Sequence, residues 1–427
     1  MAPPPTNSPE RVATIMLSWH SLELVSCSTL QTLWAGYGRI CAITARATTE
    51  DAARKLDKLC GLKSPVVGTV YPLVLKLISP PRHSANNGDE GHLRKMLSYE
   101  VEQTFYSDVV PLLKDDIGVA KCLASTRGMH GESESEKELR GLMATIMVDL
   151  RPKFPVAGGK RSALNRTQIQ GALDWLARFH GRSMGLKSDI LDDCLLPPLE
   201  ESSRRQSTGK AGNSLWLNGG YTYLATRSKE YASLVEDDSE WSEALCTTFE
   251  GSSLSVAEMA ALFLTPCGRP IESYIHGDVK SENLFTTTNG DDVAFFDFQY
   301  VGLGLGVCDL AKLFTCSVPL HLLVDGHEPL PDQLTMREGE RKLLERYRAT
   351  LLQNETSVPY EWNIFERHWE TALVDWCRFQ ASWGFWGNTE WLEARVRSIL
   401  SDQKWRDWLH ENTSGRATSK ETRPIRI

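Results

Sequence analysis

The stretch Ser273–Phe285, SYIHGDVKSENLF, sets His276, Asp278, Lys280 and Asn283 at short fixed intervals. An apolar run, Val293 to Phe296, follows and ends in Asp297-Phe298-Gln299. One reading is an ordinary polar loop beside a buried strand. The other is two carboxylates and an amide set around a metal, which suits phosphoryl transfer. That reaction asks for positioned phosphates and metal, neutralised charge, and a carboxylate that orients the attacking hydroxyl. Asp278, in a loop before a strand, can accept the hydroxyl proton. Asn283 brings an amide oxygen and Asp297 a carboxylate, both hard ligands suited to Mg2+ that also carries phosphate oxygens. The segment between them, TTTNGDD, is turn-like, so its flanking strands form a hairpin that draws Asn283 toward Asp297.

These residues need elements to hold them. The run TLQTLWAGYGRICAITARA reads as strand, glycine-containing turn, strand, and TVYPLVLKLI as a β-rich run with Lys76 inside it. Leu93, Met96, Leu97, Val101, Phe105, Val109 and Leu112 recur at helical spacing. GLMATIMVDL is another buried strand, broken by RPKFPVAGG. From LNRTQIQGALDWLARFHG onward the pattern is mostly helical. A polar, irregular stretch at about 186–251 reads as an insertion or lid. Trp362, Trp369, Trp376 and Trp383 recur every seven residues, a single slowly drifting stripe on one helix. The stripe reads as core packing of the helical part, or its last member joins Trp386 to line an acceptor pocket.

The chain has 427 residues, is 41% hydrophobic and 24% charged, and carries a formal net charge of -8. That length fits two or three domain-sized units or one large two-lobed unit, and that charge gives no basic footprint for nucleic acid. No apolar run is long enough to span a bilayer, and MAPPPTNSPER lacks the pattern of a secretory signal. The 10 cysteines contain no C-x-x-C pair and read as reduced buried thiols, so a cytoplasmic protein is expected. Residues 1–14 read as disordered, and 412–427 as a flexible polar tail.

HGDVKSEN, then FFDFQ, then Asp309-Leu310-Ala311 resemble the catalytic and metal-binding loops of the protein-kinase-like superfamily. More narrowly they resemble the aminoglycoside phosphotransferase and choline-kinase-like small-molecule kinases. The resemblance implies an α+β, two-lobed fold. A small β-sheet N-lobe with one main helix would span 15–149 and bind nucleotide, and a large, mostly helical C-lobe, 150–411, would carry catalysis and the acceptor. It implies ATP and Mg2+ as cofactors and a small-molecule hydroxyl as acceptor. Lys76 resembles the lysine that pairs with the nucleotide phosphates, and Glu102 the helix glutamate that holds it. Glu100 is the alternative, set second because Tyr99, Phe105 and Tyr106 mark the face of Glu102 as partly buried. Val148 and Asp149 fall at the hinge, where backbone groups would bond adenine. Gly36 and Gly38 read as a phosphate-covering loop or as a plain hairpin turn. By the same resemblance His276 would brace the catalytic loop and Asp309 would anchor it, cap its helix, or do both; Lys280, on the side of Asp278 in an extended loop, would meet the transferring phosphoryl group or else face solvent.

The departures are as informative. WAGYGRI has two glycines rather than a full glycine-rich loop. Gln299 stands where the superfamily has the glycine of Asp-Phe-Gly. A short stretch separates Asp297 from Asp309, with no room for a long activation segment and no Ala-Pro-Glu landmark. A small-molecule acceptor is therefore preferred to an atypical protein kinase, which the lysine of HGDVKSEN keeps open. A pseudokinase-type binding scaffold is the alternative outside enzymes, and the complete base and metal set argues against it.

Overall fold

Alternation in one strand organises the first part of the chain. Along β3, Val70–Ile78, the side chains of Tyr71, Leu73, Leu75 and Leu77 join one large apolar cluster, while Ile78 joins a smaller one with Leu33, Tyr37 and Tyr99. Period-two placement of apolar residues gives a strand two buried faces, with Lys76 on the same face as Ile78. The computed structural model describes residues 8–61, 66–80, 89–127, 129, 134–186, 191–209, 215–249, 251–324, 329–353 and 358–417. These fall into two compact units, 1–115 with 119–155, and 116–118 with 156–427.

The first unit is an antiparallel five-stranded sheet in the order β1-β2-β3-β5-β4. Its strands are β1 Leu22–Thr32, β2 Gly38–Ala47, β3, β4 Cys122–Ser125 and β5 Met143–Val148. Helix α1, Pro9–Ser18, and helix α2, Glu50–Cys60, send Val12, Ile15, Met16, Ala53 and Leu56 into the large cluster. Helix α3, Glu90–Thr104, sends Tyr99 into the smaller one and continues through a wider π turn, Phe105–Val109. A single turn, α4 Glu134–Lys137, precedes β5. Three full helices therefore serve this sheet, where the sequence reading expected one.

Two boundaries move for the same physical reason. The expected disordered start ends at Ser8, whose hydroxyl caps α1 by accepting the Arg11 N–H. Helix α1 is kept by the burial of Val12, Ile15 and Met16, and residues 1–7 lie outside the described residues. The expected break after Asp149 falls inside the first unit, which runs to Pro155.

The second unit is mostly helical. Its core helix is α5, Arg166–Met184, opened by a reciprocal capping box between Asn165 and Gln168. The region read as an irregular insertion holds α6 Pro198–Thr208, α7 Ser228–Val235 and α8 Glu240–Cys246, with Leu215, Trp216, Leu224, Tyr231 and Trp241 buried. Burial of those side chains, not linker composition, decides its structure; residues 187–190, 210–214 and 250 lie outside the described set. Helix α9, Val256–Leu264, follows. Short strands come next: β7 Ser273–Ile275, β8 Leu284–Thr286 and β9 Val293–Phe295, with β10 Gly302–Gly304 paired to β7. β8 and β9 form the expected hairpin, edged by β6 Val156–Ala157.

The remaining helices are α10 Val307–Ser317, α11 Glu338–Gln353, α12 Trp362–Trp383, α13 Thr389–Ser401 and α14 Gln403–Ala417. Helix α14 carries order through residues expected in the flexible tail, held by buried Trp405, Leu409 and Thr413, and residues 418–427 lie outside the described set. Along α12, Trp369 and Trp376 are buried in the core, but Trp383 is 57% exposed. The stripe thus packs at its middle and reaches solvent at its end. All 10 cysteines are free thiols, and among the described residues no helix is long and apolar enough to cross a membrane.

Candidate active site

In the first unit, β3 points Lys76 toward α3, where its Nζ lies 2.5 Å from Glu102 Oε2. Both side chains are less than a tenth exposed. A buried ammonium and carboxylate each need such a partner, because an isolated buried charge is costly. The Tyr99 ring lies 5.7 Å from the same ammonium. A cavity beside the pair is lined by Ile78, Tyr99, Gln103, Tyr106, Met143 and Met147. Glu102, and not Glu100, is the glutamate found on Lys76.

In the segment expected to be the hinge, both backbone donors are engaged. The Val148 N–H donates to the Lys121 carbonyl at 3.0 Å and the Asp149 N–H to the Pro72 carbonyl at 3.4 Å. Arg151 donates its guanidinium and its N–H to the Asp149 carboxylate. The donors of Val148 and Asp149 are therefore taken, and an adenine contact through them would have to use their carbonyls. Gly36 sits at φ 73° in the β1–β2 turn. Gly38 is required by packing, since a Cβ there would lie 2.2 Å from the Leu77 carbonyl oxygen. Both glycines thus have local reasons to be glycine, independent of any phosphate.

In the second unit, Asp278 is 8% exposed. Its Oδ2 accepts the Asn283 amide at 2.9 Å and lies 3.1 Å from Lys280 Nζ. Among the described residues Oδ1 takes no hydrogen bond, which leaves one carboxylate oxygen for an incoming hydroxyl. The Asn283 amide also donates to the Asp278 carbonyl at 2.9 Å. With its NH2 spent on Asp278, Asn283 keeps its oxygen for another ligand. The β8–β9 pairing sets Leu284 opposite Phe295, and the Phe296 N–H donates to the Asn283 carbonyl at 3.0 Å. Asp297 follows directly, in a left-handed conformation with φ 66°.

Lys280 is also 3.1 Å from Glu282 Oε1. Burial alone would lower its pKa, but Asp278 and Glu282 outweigh burial and raise it, so the ammonium persists. The loop is extended at Lys280, φ -164° and ψ 162°, which places its side chain on the side of Asp278, two residues back.

His276 is fully buried and braced at both ring nitrogens: Nε2 donates to the Phe296 carbonyl at 2.9 Å, and Nδ1 accepts the Asp278 N–H at 3.2 Å. Burial pushes its pKa down against the pull of Asp309 and Asp278, so the ring is neutral. Its place is that of a brace for the loop. Asp309, at the start of α10, accepts the N–H of His276 at 2.7 Å and of Gly277 at 2.9 Å.

Sequence reasoning missed the rest of this scaffold. His180 of α5 faces Asp309 Oδ2 at 3.2 Å and, through Nδ1, the Tyr347 hydroxyl at 2.7 Å. Lys312 donates to the Gly277 carbonyl at 2.9 Å. An apolar helix position hides such a histidine, because the sequence does not say which buried polar group will meet it. Tyr221 was missed too. Its ring packs 5.3 Å from Tyr300 and 5.5 Å from Phe379, and burial followed by the nearby Asp278 charge raises its phenol pKa. Arg227 lies over Tyr221, Phe379 and Trp383, and Trp386 meets Phe379 edge-on at 6.0 Å.

Asp297 and the Asn283 amide oxygen would offer a cation one carboxylate and one neutral oxygen. That fits a small hard cation that keeps water or phosphate oxygens as its other ligands. Among the described residues no cluster of three or more His, Cys, Asp or Glu offers a fuller cage.

Three solved structures resemble the chain at low identity. Macrolide 2'-phosphotransferase from Brachybacterium faecium is 13% identical, with 90% of this chain and 96% of that one covered and a TM-score of 0.39. Choline kinase from Cryptosporidium parvum is 11% identical, with 93% of each chain covered and a TM-score of 0.36. Ethanolamine kinase from Plasmodium vivax is 12% identical, with 91% and 84% covered and a TM-score of 0.33. No curated protein matches the sequence. The model of the ecdysteroid kinase-like family matches residues 74–330, more than half of the chain. That span holds Lys76, Glu102, Asp278, Asn283, Asp297 and Asp309, and the chain belongs to the ecdysteroid kinase-like family.

Proposed function

We propose that this protein transfers the γ-phosphoryl group of ATP to a hydroxyl of a small molecule, with Mg2+. The observation that carries the reading is the state of Asp278. Asn283 and Lys280 hold Oδ2, and Oδ1 is left to take a proton from an acceptor hydroxyl. Lys76, kept by Glu102, is the cation for the nucleotide phosphates, and its carboxylate partner fixes where the ammonium stands. Asn283 and Asp297 would hold Mg2+, which neutralises phosphate charge when bound. Lys280 then adds positive charge beside the base, where the phosphoryl oxygens gather negative charge in the transition state. His276, Asp309, His180 and Lys312 keep the loop in place and exchange no proton with substrate.

The family's name makes an ecdysteroid the first acceptor to test. The aromatic rings of Tyr221, Tyr300, Phe379, Trp383 and Trp386 support an acceptor with an apolar body, because ring faces bury apolar surface without polar cost.

The test is a phosphorylation screen of purified protein with Mg-ATP against a metabolite library that includes ecdysteroids, read by mass spectrometry. The expected result is a product heavier by one phosphoryl group that is not formed by Asp278→Asn. Binding of Mg-ATP with no phosphorylated product from any acceptor would favour a binding scaffold.

A further inference from the structure

Three aromatic rings beside the proposed base already surround a cation of the protein's own. The Arg227 guanidinium carbon lies 5.7 Å from the centre of the Tyr221 ring, 5.6 Å from that of Phe379 and 5.0 Å from that of Trp383. Phe379 and Trp383 stack at 5.9 Å, one turn apart on α12, and Tyr221 meets Phe379 edge-on. Arg227 stands directly before α7, with its side chain 7% exposed. Its Nε donates to the Tyr221 carbonyl at 2.7 Å, and its Nη1 lies 3.1 Å from Glu230 Oε1. The segment that leads into Tyr221 is fixed on the turn after Asp297. There the Trp216 indole donates to the Gln299 carbonyl at 2.9 Å, and the Gly220 N–H to the Tyr300 carbonyl at 3.0 Å. Lys312, which donates to the Gly277 carbonyl next to Asp278, has its Nζ 5.8 Å from the Tyr221 ring. Trp383, at the other end, is largely exposed, so the rings run from the catalytic loop out to solvent.

We propose that Arg227 is a specificity-determining residue that closes this aromatic cage to cationic acceptors. The compound phosphorylated here is then an uncharged alcohol with an apolar body, not a quaternary ammonium alcohol or an amine. Ring faces attract an ammonium through their negative quadrupole, and an empty cage of this kind is how proteins hold such ligands. Here the faces are turned to a guanidinium that is charged at every working pH. A second cation at the same rings would meet a like charge, and Glu230, the carboxylate at hand to offset it, is paired with Arg227. Rejection by like charge is a means of discrimination that leaves uncharged ligands unaffected. The inference rests on the reading of this site as one for a hydroxyl acceptor, and its first test is a binding measurement that needs no turnover.

The experiment is a titration of the full-length protein with tetramethylammonium chloride, with sodium chloride holding the ionic strength constant. Binding is read by saturation-transfer NMR at the methyl protons of the probe. Wild type is expected to show no saturable binding. Arg227→Ala removes the guanidinium and leaves the three rings and Glu230, and it is expected to bind the probe about 10-fold or more tighter than wild type. Saturable binding by wild type, or a variant that gains none, would overturn the proposal and make Arg227 a packing residue. If Arg227→Ala does not fold, Arg227→Gln, which keeps an amide donor and removes the charge, is held to the same criterion. The acceptor screen supplies the second arm. Phosphorylation of choline or ethanolamine by wild type would overturn the proposal and leave the phosphotransferase reading standing. Phosphorylation of no acceptor at all would overturn that reading, and the acceptor role of Arg227 with it.

Discussion

Lys280 Nζ stands 3.1 Å from Asp278 Oδ2 and 3.1 Å from Glu282 Oε1, on an extended loop that sends Lys280 and Asp278 to one side. The proposed base and the proposed transition-state cation are therefore an ion pair, about 29% exposed on the lysine side. The pairing keeps the ammonium charged, the state its proposed role needs. It also ties the lysine to the proposed base.

Lys280→Met should therefore act on the chemical step. Removing a cation used mainly in the transition state costs about 2.7–4 kcal/mol, or about 10²–10³ in kcat. The KM for ATP should move little, since uniform binding is not what is lost. Steady-state kinetics on the acceptor found in the screen would show this. An unchanged kcat would make Lys280 a surface ion-pair residue, and lost ATP binding would move it among the ground-state phosphate ligands.

Lys76 and Glu102 should behave as one unit. The carboxylate lies 2.5 Å from the ammonium and both are buried, so either truncation takes a close opposite charge from the other. A double-mutant cycle of Lys76→Ala and Glu102→Ala on kcat/KM should give strong non-additivity, with the second mutation costing little once the first is made. Additive losses would show that Glu102 acts on something other than the lysine.

Gly277, between His276 and Asp278, should tolerate no side chain. Its φ is 83°, and a Cβ would lie 2.4 Å from the Tyr300 carbonyl oxygen and 2.7 Å from the Gly220 nitrogen. Both obstacles are backbone atoms, so relief requires the loop or the 215–220 segment to move. Gly277→Ala is expected to lower the thermal midpoint by several degrees and to abolish turnover. A variant with wild-type melting and turnover would show that the loop has room which this geometry denies.

The hairpin that carries Asn283 and Asp297 was legible because its information is local: two apolar runs with an Asn-Gly turn between them. Lys76 on a strand and Glu102 on a helix were legible for the same reason, since period and order suffice to place them. His180, Tyr347, Lys312 and Trp216 were not. Each acts by meeting a group far away in sequence, and nothing in its own neighbourhood marks it as polar by need. The ordered helices at 198–246 and the end of α14 at 412–417 were hidden for a related reason. Their compositions are those of loops, and burial of a few residues such as Trp216, Trp241 and Trp405 overrides that signal. That the amides of Val148 and Asp149 are engaged by Lys121 and Pro72 was not legible, because a sequence does not show which amides the sheet uses.

Asp309 should give the fold a dependence on acid that its amide variant lacks. The carboxylate is fully buried and accepts from the His276 and Gly277 amides and from His180. Burial alone would raise its pKa, but the His180 hydrogen bond and the nearby Lys312 outweigh burial and hold it below the ordinary carboxylate value. A depressed folded pKa means that the folded state binds its proton later than the unfolded chain does. The stabilisation is therefore complete above the unfolded value near pH 4 and is lost as pH falls through the lower folded value. Asp309→Asn removes the charge and turns an NH2 toward donors that need an acceptor, leaving at least one buried amide unpaired. That should lower stability by about 1–3 kcal/mol at pH 7. Because asparagine does not titrate, the gap between wild type and variant should be constant from about pH 5 to pH 7. It should narrow below about pH 4, as wild type loses what the variant never had. Urea unfolding of both proteins at pH 7, 5 and 3.5 measures the gap directly. A gap as wide at pH 3.5 as at pH 7 would mean that the folded pKa is not depressed below the unfolded value. A gap that widens on acidification would mean that it lies above the unfolded value, and that burial, not its partners, governs this carboxylate.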